Sequence, residues 1–85
     1  MKVLNHNKLM RNNPTMLGST FNQFNQRVMF FEHPIHGDTA PIIAVIEGVA
    51  VETEFWDTDD FYEGSDYMPV LTPEGKIESY WESQI

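Results

Sequence analysis

Two stretches of the chain gather side chains whose types and spacing suit chemistry. The first is His33-x-x-His36-x-Asp38. Imidazole binds zinc, nickel, copper or iron, and a carboxylate adds a hard oxygen ligand. The same groups suit acid–base work, and loops on rigid scaffolds are where such groups are commonly carried. Glu32 joins them only if the end of the preceding strand bends inward. The plainer alternative makes Asp38 a turn residue, leaves His36 in solvent and sets His33 at a strand border. So short a cluster arises readily by chance, and no cofactor is expected.

The second stretch runs from Glu52 to Tyr67. It holds Glu52, Glu54, Asp57, Asp59, Asp60, Glu63 and Asp66, interleaved with Phe55, Trp56, Phe61, Tyr62 and Tyr67. Carboxylates beside rings suit a basic partner: the acids steer and pair with Arg or Lys, while the rings stack on guanidinium planes. Acids spaced along a surface also imitate nucleic-acid phosphates. The expected binding face is therefore Glu52, Glu54, Trp56, Asp57, Asp59, Asp60, Tyr62, Glu63 and Asp66. The alternative is a capped helical turn with solvated acids and rings turned to the core.

Other chemistries find less support. Asp57-x-Asp59-Asp60 offers oxygen ligands but lacks the spacing of a twelve-residue calcium loop. No pair among the thirteen acids is singled out for glycosidic work. Ser19, Ser65, Ser79 and Ser83 lie in no nucleophile-elbow pattern. There is no phosphate-binding glycine loop and no dinucleotide fingerprint. An enzyme is the weaker expectation.

The charge is divided along the chain. Residues 1–31 hold Lys2, Lys8, Arg11 and Arg27 and no acid, giving +4; residues 32–85 hold every acid and only Lys76, giving −12. The net charge is −8. Such an acidic segment repels phosphates and anionic lipid, so direct binding to nucleic acid or to a membrane is disfavoured. The longest apolar run, Pro41 to Ile46, is too short to cross a bilayer. The apolar run after Lys2 is two residues long, unlike an export signal. With no cysteine in the chain, a cytoplasmic setting is expected.

Eighty-five residues suggest one domain with a modest core. A core of that size is often completed by a second subunit, so a homodimer is expected. Residues 1–26 are rich in Asn and Gln and show little alternation. They read as an irregular arm that buries Leu4, Leu9, Met16, Leu17, Phe21 and Phe24, or as a short helix capped by Ser19 or Thr20. Residues 27–81 read as the β core. Arg27 to Glu32 and Pro41 to Ile46 are strands, and His33 to Thr39 is a loop between them. In Val49 to Trp56, Val49, Val51, Thr53 and Phe55 share one face, with the other face turned to solvent. Glu47-Gly48 predicts a hairpin between these last two strands. Asp57 caps a short helix that Gly64 ends. Tyr67 to Leu71 and Lys76 to Trp81 form a second hairpin through Thr72-Pro73-Glu74-Gly75. Pro69 lacks a donor and so belongs on a strand edge. In Lys76 to Trp81, alternation groups Trp81 with Ile77 and leaves Tyr80 on the other face.

The expected architecture is a mainly β antiparallel sheet or partly closed barrel of about five strands with one short helix. The expected function is a non-enzymatic acidic module that binds a basic protein. Small acidic domains of this kind are common among accessory proteins of mobile elements, which keeps an inhibitor role in view. The alternative is a small-molecule or metal-dependent catalytic domain with a pocket near His33, His36 and Asp38.

Overall fold

Pro41-Ile42-Ile43-Ala44-Val45-Ile46 is apolar at every position, and that run sets the architecture. A strand that alternates polar and apolar can afford one wet face; this one needs cover on both. The computed structural model, which describes residues 2–84, supplies it. The strands are β1 (Lys2–Leu4), β2 (Met16–Phe21), β3 (Arg27–Phe31), β4 (Ile43–Ile46), β5 (Val49–Glu52), β6 (Pro69–Leu71) and β7 (Ile77–Ser79). The helices are α1 (His6–Arg11) and α2 (Tyr80–Gln84), with a single 3-10 turn at Thr58–Asp60.

Five strands form one antiparallel sheet in the order β1-β5-β4-β3-β2, and β6 pairs with β7 in a separate hairpin. The fold is mainly β and antiparallel, as expected. The large sheet is open, with β1 and β2 at its edges, so it does not close into a barrel.

β4 lies at the centre and is fully buried. One face of the sheet presents Val28, Phe30, Ala44, Ile46 and Val51, which pack against Phe61, Met68 and Ile77. The other presents Phe31, Ile43, Val45 and Ala50 beneath Leu9 of α1. The even and odd residues of β4 therefore divide between two cores, as the two-residue period of a strand requires.

Both predicted hairpins form. Glu47 and Gly48 have φ of 48° and 81°, the left-handed pair that a type I′ turn needs. Thr72 N–H donates to Lys76 C=O and Gly75 N–H to Thr72 C=O, with Gly75 at φ 84°. That is a type I turn closed by a left-handed glycine.

The amino-terminal segment departs from the expected arm. Residues 2–21 are neither an irregular arm nor a helix capped at Ser19 or Thr20. They supply both edge strands and α1, whose cap is Asn5, its side chain accepting from Lys8 N–H at 2.9 Å. Of the apolar residues expected to be buried there, only Leu9 is; Met16, Leu17, Phe21 and Phe24 are exposed. The outer face of β5, expected to meet solvent, is covered at Ala50 by the α1 layer.

Pro69 lies on an edge strand, as expected, since β6 pairs only with β7. It is nonetheless buried, because its outer side meets side chains rather than solvent. Asn22 Nδ2 donates to Pro69 C=O at 3.0 Å. Gln26 takes Leu71 at both ends: Nε2 donates to its C=O and Oε1 accepts from its N–H, each at 3.0 Å. A primary amide has the same donor and acceptor as a peptide unit. Gln26 thus imitates a neighbouring strand and closes the edge of β6.

Candidate functional site

The acidic stretch begins where β5 leaves regular pairing. Thr53 is buried; its N–H and its Oγ1 both donate to Ile42 C=O, at 2.9 and 2.7 Å, and Ile42 N–H donates to Phe55 C=O at 2.8 Å. Thr53 and Phe55, so held, flank Glu54, which is left exposed. Phe55 turns inward and meets Phe61 edge-on at 5.4 Å. Phe61 in turn stacks on Phe30 at 4.8 Å, inside the core. These rings pin an otherwise irregular segment to the sheet.

Between the two phenylalanines, Asp57 caps the 3-10 turn, its carboxylate accepting from Asp59 N–H at 3.0 Å. The cap is as expected, but the helix is one turn and ends at Phe61, before Gly64. Ser65 then organises the next bend. Its Oγ donates to Asp60 C=O at 3.0 Å and accepts from Tyr67 N–H at 3.1 Å.

The carboxy-terminal strand also ends earlier than expected. Ser79 N–H donates to the Glu82 carboxylate at 3.2 Å, and Glu82 N–H donates to Ser79 Oγ at 3.3 Å. This reciprocal pair is a capping box, and it starts α2 at Tyr80. The face assignment therefore reverses: Tyr80 packs against the core while Trp81 is 59% exposed. Trp81 N–H still donates to Asp66 C=O at 3.2 Å, which holds the two segments side by side.

Together these segments enclose a surface groove of about 430 Å³. Glu54 and Phe55 form one part of its lining, Asp66 and Tyr67 another, and Ser79, Trp81 and Glu82 the third. Tyr67 is 51% exposed and its ring lies 4.8 Å from that of Phe55. The ring series Phe30, Phe61, Phe55, Tyr67 therefore runs from the core to the groove. The lining carries three carboxylates and no basic side chain. Such a site can accept a cation between carboxylates and an aromatic face.

Of the residues singled out in the sequence, Glu54 and Asp66 meet in this groove. Trp56, Asp57, Asp59, Tyr62 and Glu63 are exposed outside its lining, and Asp60 is half-buried. Glu52 stands apart, in register with Lys2 on the β1 edge. Sequence reasoning did not place Phe55, Tyr67, Trp81 or Glu82 in the site. The Ser79-x-x-Glu82 spacing was the signal that could have located α2 and hence Trp81.

The histidine cluster has a different geometry. The rings of His33 and His36 lie 4.7 Å apart. His33 Nδ1 accepts from the backbone N–H groups of Ile35 and His36, each at 3.2 Å, so only Nε2 is left for a ligand. His36 and Asp38 are exposed. Among the described residues, no group of three or more His, Asp or Glu side chains is placed to hold a metal ion. No described helix is long and apolar enough to cross a membrane.

No known protein family, curated protein or solved structure matches this chain.

Proposed function

We propose that the protein is a non-enzymatic acidic module whose groove at Glu54, Asp66, Tyr67 and Trp81 receives an arginine or lysine of a basic protein. The observation that carries this reading is the groove's lining: three carboxylates beside exposed rings, with no base to neutralise them. Asp57, Asp59 and Glu63 lie outside it and add negative potential that steers a cationic segment inward. A nucleic-acid-binding protein is a natural partner class, because acids on a surface compete with phosphates for its basic side chains. An inhibitor or accessory role follows from that competition. The cysteine-free composition supports a cytoplasmic setting.

An arginine-rich peptide titrated calorimetrically into the protein tests this reading. Binding that weakens at least about tenfold on Glu54→Lys with Asp66→Lys supports it, a tenfold loss being about 1.4 kcal/mol. Glu47→Lys, on the β4–β5 turn away from the groove, changes net charge by half as much and is expected to leave most of the affinity intact. Equal loss on Glu47→Lys and on the groove variant would reduce the effect to net charge and sink the proposal.

A further inference from the structure

The two sheets have four outer edges, and three of them are defended. β6 is closed by the amides of Asn22 and Gln26. β1 is three residues long and carries Lys2, a charge common on protected edges. β7 is also three residues long and turns at once into α2. β2 is the exception. It is six residues long, Met16-Leu17-Gly18-Ser19-Thr20-Phe21, with no proline and no charge.

Its outward backbone groups can be assigned. Asn22 N–H donates to Gln26 C=O, so the antiparallel ladder turns Thr20 toward β3 and turns Ser19 and Phe21 away from it. Beside those free groups lie exposed apolar side chains: Phe21 is 52% exposed and Met16 49%. Both face the same side of the sheet, since Leu17 is the extra residue in the register shift between Met16 and Gly18. An uncovered, uncharged strand edge of this length is a template for another strand.

We infer that β2 pairs with the same strand of a second copy, antiparallel about a two-fold axis near Ser19, joining two five-stranded sheets into one. Three features favour a second copy. A two-fold sets Ser19 against itself and Phe21 of each copy against Leu17 of the other, with Met16 next along, so each exposed ring meets exposed apolar side chains. The strand has no charge to oppose itself. The whole chain is strongly acidic, yet residues 11–27 hold Arg11 and Arg27 and no carboxylate. Two copies can approach there without confronting their acids.

Light scattering after size exclusion, over a concentration series, reads the mass directly. A mass of twice 9.9 kDa is expected for the native chain. Phe21→Lys replaces the ring that packs across the junction with a hydrated charge, and Ser19→Pro removes an outward N–H without touching the β3 ladder. Each is expected to return the mass to 9.9 kDa, or to raise the dissociation constant at least about tenfold. Ser19→Cys gives an independent reading, because the chain has no other cysteine. Residues facing across an antiparallel ladder lie about 5.5 Å apart, within disulfide reach. Mild oxidation is expected to yield a covalent dimer from Ser19→Cys but not from Glu74→Cys. A native monomer at every concentration, a dimer indifferent to both edge substitutions, or open-ended polymers would each overturn the inference. Salt separates it from groove binding: the edge dimer persists as salt rises, whereas charge-driven peptide binding weakens.

Discussion

The Asn/Gln turn at residues 22–26 and the acidic stretch at 54–66 are both polar loops rich in side-chain oxygen, and they have opposite fates. Asn22 is 4% exposed. Its Nδ2 donates to Pro69 C=O and Gln26 Oε1, and its Oδ1 accepts from the N–H groups of Phe24 and Gln26. In the acidic stretch, Glu54, Asp59, Glu63 and Asp66 stay exposed, and Asp57 makes one local bond. The difference lies in what each group can satisfy. An amide both donates and accepts, so it can replace a peptide unit along a strand. A carboxylate only accepts, so it can hold a few free N–H groups and otherwise remains available to an outside cation.

Four substitutions sharpen or break this contrast, from the largest expected effect to the smallest. Phe61→Ala removes the ring that anchors the acidic stretch to Phe30 and Phe55. A loss of about 3–5 kcal/mol in chemical denaturation is expected. A much smaller loss would mean that the stretch is held by its hydrogen bonds. Asn22→Ala strips Pro69 C=O of its donor and the turn of its internal acceptor. Denaturant midpoints should report about 2–3 kcal/mol, the cost of leaving buried polar groups unpaired. Little change there would refute the structural role assigned to the amides. Asp57→Ala deletes a cap on one short turn, and about 1 kcal/mol or less should be lost in the same assay. Asp66→Asn should leave the melting temperature nearly unchanged while peptide affinity falls in calorimetry. Coupled loss of both would place Asp66 among the structural polar groups.

The same contrast explains what the sequence made legible. Gly48 and Gly75 mark their hairpins because both turns need a left-handed residue there and glycine takes that conformation without a Cβ penalty, while Pro73 presets the opening of the second turn. The apolar run at 41–46 declared a central strand. β2 was hidden: Leu17 is an extra residue that breaks the alternation, and the strand is exposed where a buried pattern was sought. α1 has six residues and only Leu9 fully buried, too little for a helical period to emerge. Asn22 and Gln26 bond to residues more than forty positions away, and no local pattern encodes that. In the groove, Glu54 and Asp66 could be named as acids near rings. Their meeting with Trp81 depends on the hairpin β6–β7 and on the capping box at Ser79.

β1 is first in the chain and last in the sheet, and that ordering shapes how the protein is made. Strands β2 to β5 follow one another as neighbours, so each finds its partner across a short connection. Val3 must instead wait for Val51, forty-eight positions downstream. Closing that distance is entropically dearer than closing a turn, which sets β1 docking late. On the ribosome the delay amounts to several seconds at roughly 5–20 residues per second. Pulse-labelled hydrogen exchange during refolding is expected to protect β3 and β4 before β1. Until β1 arrives, β5 presents a bare edge of its own, so the nascent chain passes through an interval in which both borders of its sheet are open to strangers.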